Sequence, residues 1–245
     1  MKMLLNCIKC EKMKLKRSHM WIAFVLFPVV PAVMGSMNYL QNLAVLKSEW
    51  LSLWTQETLF YSNFFFAPLV AIYCGYLWRI ENRNKNRHLL MTAPVPVRNI
   101  FLGKLVSIAR ITLFTQLWVF VLFIVTGKLL FLTGLPPVTI FFYTLRGCLG
   151  GMAVATLQLL LSMIIKSFAA PIAIAVCGAV TGLLASNSAY GIYYPYSLMM
   201  LGMNANRSED MLSGSSLPFL LSCIFYLILF TFIAVYLLKH RDVRT

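Results

Sequence analysis

The sequence predicts an all-α polytopic membrane protein with six transmembrane helices, an N-terminal amphipathic interfacial helix and both termini cytoplasmic. Three observations carry this expectation. The 245 residues are 60% hydrophobic and 11% charged, with a mean hydropathy of +0.79, well outside the soluble globular range. The apolar residues fall into runs that supply the ~20 helical residues needed to cross a ~30 Å hydrocarbon core. Lys and Arg gather at the N terminus, in 79–104, at Lys166 and in the C-terminal tail, whereas the alternate segments hold only Lys47, Lys128 and Arg207. The positive-inside rule places the first set in the cytoplasm. Because the net charge of +14 is spread over short segments between apolar runs, no nucleic acid partner is expected, and contact with anionic membrane lipid is.

Residues 1–18 put Met1, Leu4, Leu5, Ile8 and Leu15 on one helical face, with Lys2, Asn6, Lys9 and Lys16 largely opposite. That fits a helix along the inner membrane surface with its lysines near headgroups. A frayed basic tail that merely sets orientation would have the same composition. The long charged region before Trp21, with no small-residue cleavage site after it, predicts a retained first span. This span covers about Met20–Tyr39, and Pro28 and Pro31 should kink it. Residues 38–57 then read as an external loop, with Trp50 and Trp54 suited to the interface. The second span, Thr58–Trp78, carries Phe64, Phe65 and Phe66, more naturally lipid-facing or packed than a ligand cage. Glu57 at its outer end is either a solvated loop residue or one that meets a cationic substrate.

The polar stretch RIENRNKNRHLLMTAPVPVRNIFLGK, Arg79 to Lys104, cannot lie in hydrocarbon. Glu81–Met91 can form a short helix that stops near Ala93, because Pro94 disfavours helical geometry in the residue before it. Pro96 suits the first turn of the third span, Val97–Val125. Such an elbow would pass a push on the short helix into the span; an ordinary basic loop has the same spacing. Arg110 either snorkels to the inner surface or faces a polar interior with Thr112 and Gln116. After a short outer loop, Gly127–Pro137, the fourth span runs from Val138 to about Ile165. Its Arg146, in the outer third, requires an escape to the surface, a partner or a water-filled cavity. Gly147 and Gly151, and Gly178 and Gly182 in the fifth span (Phe168–Ala185), are small-xxx-small pairs that permit close packing of helices. Ser186–Ser216 is the longest external segment. Its Tyr190, Tyr193, Tyr194 and Tyr196, followed by Leu198 to Leu201, suit the outer interface or a short helix dipping back into it. The sixth span is Leu217–Leu238.

Enzymatic chemistry has little to work with. The seven acids are scattered, and no pair lies at helical spacing within a span, so a carboxylate dyad or proton relay is not expected. His19, His88 and His240 have no metal-ligand spacing, and Cys7 and Cys10 form a lone CxxC without a second pair. No G-x-x-x-x-G-K-[ST] loop is present. Nucleotide energy, if used, has to come from another polypeptide.

The basic surface helix, the six spans, the Glu-containing cytoplasmic helix ending in Pro94, Pro96 and Arg98 and then Lys104, and the Lys/Arg-Asp tail together resemble ABC-2 type permeases. The approach to the second span (Trp54 to Pro68, with T-Q-E and F-Y-S-N-F-F-F-A-P) and E-N-R-N-K-N-R-H-L-L-M-T-A-P-V-P-V-R (Glu81 to Arg98) look more narrowly like the lantibiotic-immunity permease subunits of Gram-positive bacteria. The resemblance implies one transmembrane domain over 1–245, with an interfacial helix (1–18), a cytoplasmic coupling segment (79–99) and an external segment (186–216). It implies a second permease subunit, identical or homologous, and a separate ABC ATPase that alone binds ATP and Mg, this chain having no cofactor. Glu81, Arg83, Lys85, Arg87, His88, Leu89, Leu90 and Arg98 would dock on that ATPase. The implied cargo is a cationic lanthionine peptide expelled from the cell membrane for self-protection, with Glu57, Arg146, Tyr190, Tyr193, Tyr194 and Tyr196 as its candidate path or gate. The reading from a different class is an ATP-independent secondary transporter or channel for another amphiphile, for which inverted repeats are expected; none is evident.

Overall fold

The computed structural model describes residues 2–16, 18–82 and 94–240, and it is helices and their connections throughout. Helix α1 is Lys2–Leu15. The first span is α2 (Met20–Leu26) and α3 (Val29–Gln41), and the second is α4 (Glu49–Phe60) and α5 (Phe66–Asn82), joined by a wider turn at Tyr61–Phe65. The third, fourth and fifth spans are α6 (Val97–Leu129), α7 (Val138–Ile164) and α8 (Ala169–Ser186). Two single-turn helices, Gly191–Tyr193 and Pro195–Ser197, lead into the short α9 (Leu198–Gly202), and α10 (Ser216–His240) is the sixth span. Six of these units are long and apolar enough to cross a membrane.

Proline shapes two of them. The first span breaks once, at Phe27 and Pro28, where Pro28 caps α3. Pro31 was expected to add a kink, but it falls in the first turn of α3, where a missing N–H removes no helical bond. In the second span the wide turn sits just ahead of Pro68. Proline lacks a donor for the carbonyl four residues back and its ring crowds that carbonyl, so a locally wider turn relieves both problems.

The second and fourth spans are 67% buried within the chain, against 22–33% for the other four, so they form the central pair. Trp78 Nε1 donates to the Leu159 carbonyl at 3.1 Å and Cys74 Sγ lies 3.7 Å from that of Ala155, tying the two together. The surrounding spans expose apolar residues such as Leu117, Val121, Ile224 and Phe232, as lipid-facing helices do. The second span begins at Glu49, not at Thr58, and Trp50, Trp54, Gln56 and Glu57 are buried in it rather than lying in a loop. Their partners explain why. Trp50 Nε1 donates to the Thr133 carbonyl at 2.7 Å and its ring meets Phe123 edge-on. Gly35 lets α3 lie directly on this part of the span, since a Cβ there would stand 2.3 Å from the Glu57 Cα.

The glycines of the fourth and fifth spans receive an element that the small-xxx-small spacing does not name, besides neighbouring spans. Gly151 lies against Phe66 of the second span and Gly147 in part against Gln116 of the third, as helix packing requires, but most of these hollows accept the segment after the fifth span. A Cβ on Gly150 would lie 2.5 Å from the Leu198 backbone, and one on Gly147 2.3 Å from Met203. The Tyr196 ring and backbone fill the hollows at Gly178 and Gly182. Gly150 is about 18 Å along α7 from Val138, at 1.5 Å per residue, so α9 enters the bundle to roughly half the depth of a hydrocarbon core.

Candidate functional site

Two groups of polar residues stand out, one at each end of the bundle. The first joins α1 to the helices on either side of residues 83–93. Lys104, in the second turn of α6, is fully buried. Its Nζ donates to Glu81 at 2.9 Å and to Glu11 at 3.0 Å, reaches the Leu77 carbonyl at 3.4 Å, and lies over the Trp78 ring. Lys14 also pairs with Glu81, and with Glu11 at 2.9 Å. Two ammonium groups thus face two carboxylates, which is what makes such a desolvated cluster tolerable. Burial works to lower the Lys14 pKa, but the carboxylates of Glu11 and Glu81 outweigh it and hold the ammonium above its ordinary value. Beside the cluster, Cys7 rests against Gly103, and burial, with Cys10 and Glu11 nearby, pushes its thiol pKa up. Among the described residues no group of His, Cys, Asp and Glu is placed to hold a metal ion.

Of the residues expected to dock on an ATPase, Arg83, Lys85, Arg87, His88, Leu89 and Leu90 lie outside the described residues. Arg98 is exposed on the first turn of α6. Glu81 points inward and is spent on Lys14 and Lys104.

The second group lies at the opposite end. Arg146 Nη1 donates to both carboxylate oxygens of Asp210, at 3.0 and 2.9 Å, and its guanidinium lies 5.9 Å from the centre of the Tyr143 ring. Of the three escapes open to this arginine, the structure shows a partner. The four tyrosines divide: Tyr190 and Tyr193 are exposed, Tyr194 is half-buried against Thr181 Oγ1 at 2.7 Å, and Tyr196 is buried, its hydroxyl accepting from Gln158 Nε2 at 2.6 Å. Glu57 is 2% exposed. Its Oε1 accepts from Ser36 at 3.0 Å and Thr126 at 2.5 Å, while Oε2 is buried without a hydrogen bond. It therefore joins the first three spans, whereas Tyr196 belongs with the fourth and fifth. A cavity of about 340 Å³ opens between the start of the second span and the segment after α9, lined by Lys47, Thr55, Gln56, Asn204 and Arg207 among others.

A family model described as ABC-2 family transporter protein matches residues 7–182. The chain belongs to this family. Neither the curated proteins nor the solved structures contain a match. The matched residues take in α1 from Cys7 onward and the first five spans as far as Gly182, with the entire Lys104 cluster, and end before the inserted α9 and the sixth span. Membership makes the protein a multi-pass membrane permease, the transmembrane and non-catalytic component of an ABC transporter; the family in general implies an ABC ATPase partner.

The permease contains functional candidates that its sequence alone did not reveal. Glu11, Lys14 and Lys104 are 93 positions apart at the extremes, and no local pattern links them. The available signals were slight: Glu11 is the sole acid of a basic helix, and Lys104 stands inside an apolar run. Asp210, the counterion of Arg146, had no signal beyond being an acid in the external segment.

Proposed function

We propose that the chain is the transmembrane subunit of an exporter powered by a separate ABC ATPase. In this reading α1 and residues 79–99 face the cytoplasm, and 83–93 form the docking element. The observation that carries the proposal is the buried Lys104 cluster, which fastens the root of that element on both sides, through Glu81 before it and Lys104 after it, to α1. A segment with fixed ends transmits displacement into the helices that flank it, whereas a loose tether does not. The positive-inside distribution supports the orientation.

The cargo we propose is a cationic lantibiotic-type peptide, removed from the plasma membrane of a Gram-positive cell with the help of a second permease subunit, identical or homologous. The motif resemblance over Trp54–Pro68 and Glu81–Arg98 supports this, and so does the aromatic surface formed by Tyr190 and Tyr193. Arg146, Tyr194 and Tyr196 would shape the gate where α9 enters the bundle, and Glu57 would sit behind it.

The test is co-expression with the ATPase. Replacement of Arg87, Leu89 and Leu90 by Ala is expected to abolish co-purification and to reduce stimulated ATP hydrolysis at least tenfold, as expected for loss of about 1.4 kcal/mol or more of interface energy. An intact complex with unchanged hydrolysis would refute the docking role. Cell survival in the presence of a lantibiotic, with and without the chain, tests the cargo separately.

A further inference from the structure

A cavity of about 970 Å³ opens between α1 and the third span. Lys9, Lys12 and Lys16 line one side and Arg110 the other; Ile8, Leu15, Tyr73, Ile111 and Phe114 provide apolar walls. No acid is among its lining residues. We propose that this cleft is a binding site for one anionic glycerophospholipid, with the phosphate between the lysines and Arg110 and an acyl chain running along the third span.

Three features point to that occupant. The three lysines follow a spacing of three and four residues, so they share one side of α1. They lie on a different stripe from Glu11 and Lys14, which are turned to the buried cluster, and their charge is not neutralised there. Arg110 lies two helical turns past Gly103, where Cys7 rests, or about 10 Å further along the span. Among the described residues it makes no hydrogen bond or ion pair, although it stands in an apolar helix where an uncompensated charge is costly. A phosphate held by the lysines supplies that compensation. Beyond Arg110, Phe114, Leu117, Val121 and Val125 are each 44–51% exposed. Their spacing of three and four residues makes a continuous apolar track leading out of the cleft. A basic head site continuous with an apolar track matches an anionic amphiphile, and four cations would repel a cationic peptide. The cavity volume is near the upper end of the ~300–1,000 Å³ typical of small-molecule sites. The inference requires only that α1 lie along the membrane surface, and it is independent of the cargo.

The experiment is native mass spectrometry of the full chain, alone and with its ATPase, released from nanodiscs containing phosphatidylglycerol or phosphatidylcholine. One phosphatidylglycerol should stay bound per chain while phosphatidylcholine is lost. Lys12→Gln with Arg110→Gln should weaken retention by roughly 25-fold, at about fivefold per basic residue near a phosphate. Arg110→Lys should restore most of it, and Lys128→Gln, at the other end of the bundle, should leave it unchanged. Ile111→Trp, which keeps every charge but fills the cleft, should also release the lipid. Equal retention of phosphatidylcholine, displacement by inorganic phosphate, or retention unchanged in both the charge and the filling variants would overturn the proposal.

Discussion

The two ends of the bundle handle buried charge in opposite ways. At the α1 end, four charged groups from three separate stretches of chain close on one another around Lys104, which is fully buried. At the α9 end, Arg146 and Asp210 form a single pair with side chains 26% and 29% exposed, and the surrounding tyrosines and methionines do most of the packing. The closed cluster resists rearrangement, because moving Lys104, Glu11 or Glu81 strands a charge in low dielectric. A single pair that already reaches water can part and be hydrated at smaller cost. The first end is therefore built to hold its geometry and the second to tolerate change.

Substitutions sharpen the contrast. The largest effect is expected for Lys104→Met, which leaves Glu11 and Glu81 short of a cation and should cost about 3–5 kcal/mol. Detergent thermal unfolding and membrane yield would show it. Replacing all four members, Glu11 by Leu and Lys14, Glu81 and Lys104 by Met, should recover much of that stability, as apolar replacements of buried ion clusters commonly do; no recovery would mean that the cluster is not desolvated as described. An intermediate effect is expected for Gly150→Val, because the added side chain meets the Leu198 backbone. Overpacking there should cost about 1–3 kcal/mol and displace α9, which thiol-labelling of Met199→Cys would register as a gain in reactivity. The smallest is expected at Arg146 and Asp210. A double-mutant cycle with Ala at each should give a coupling of about 0.5–1 kcal/mol, and a coupling several times larger would erase the distinction between the two ends.

Much of the architecture is legible from composition, since a helix in lipid has to satisfy its own backbone and be apolar over a fixed length. Hence the six spans. The span ends were less legible wherever a helix remains buried among its neighbours rather than facing lipid. Trp50, Trp54, Gln56 and Glu57 have the composition of an interfacial loop, yet each is buried and each is hydrogen-bonded to a distant part of the chain. The glycines signalled a close approach without naming the element that approaches. The charges were visible but their pairings were not: Lys104 finds Glu81 at a separation of 23 residues and Glu11 at 93, and these pairings are a property of the packed bundle.

The widened turn at Tyr61–Phe65 has a consequence for the whole second span. Accommodating about one extra residue in a turn swings everything downstream by roughly 100° about the axis. Upstream, Trp54 and Glu57 address Met203, Ser36 and Thr126; downstream, Cys74, Trp78 and Glu81 address the fourth span and Lys104. One rod thus has two independently aimed halves. Excising a single residue from the joint would leave the upper half seated and rotate the lower half's tryptophan and glutamate off their partners together.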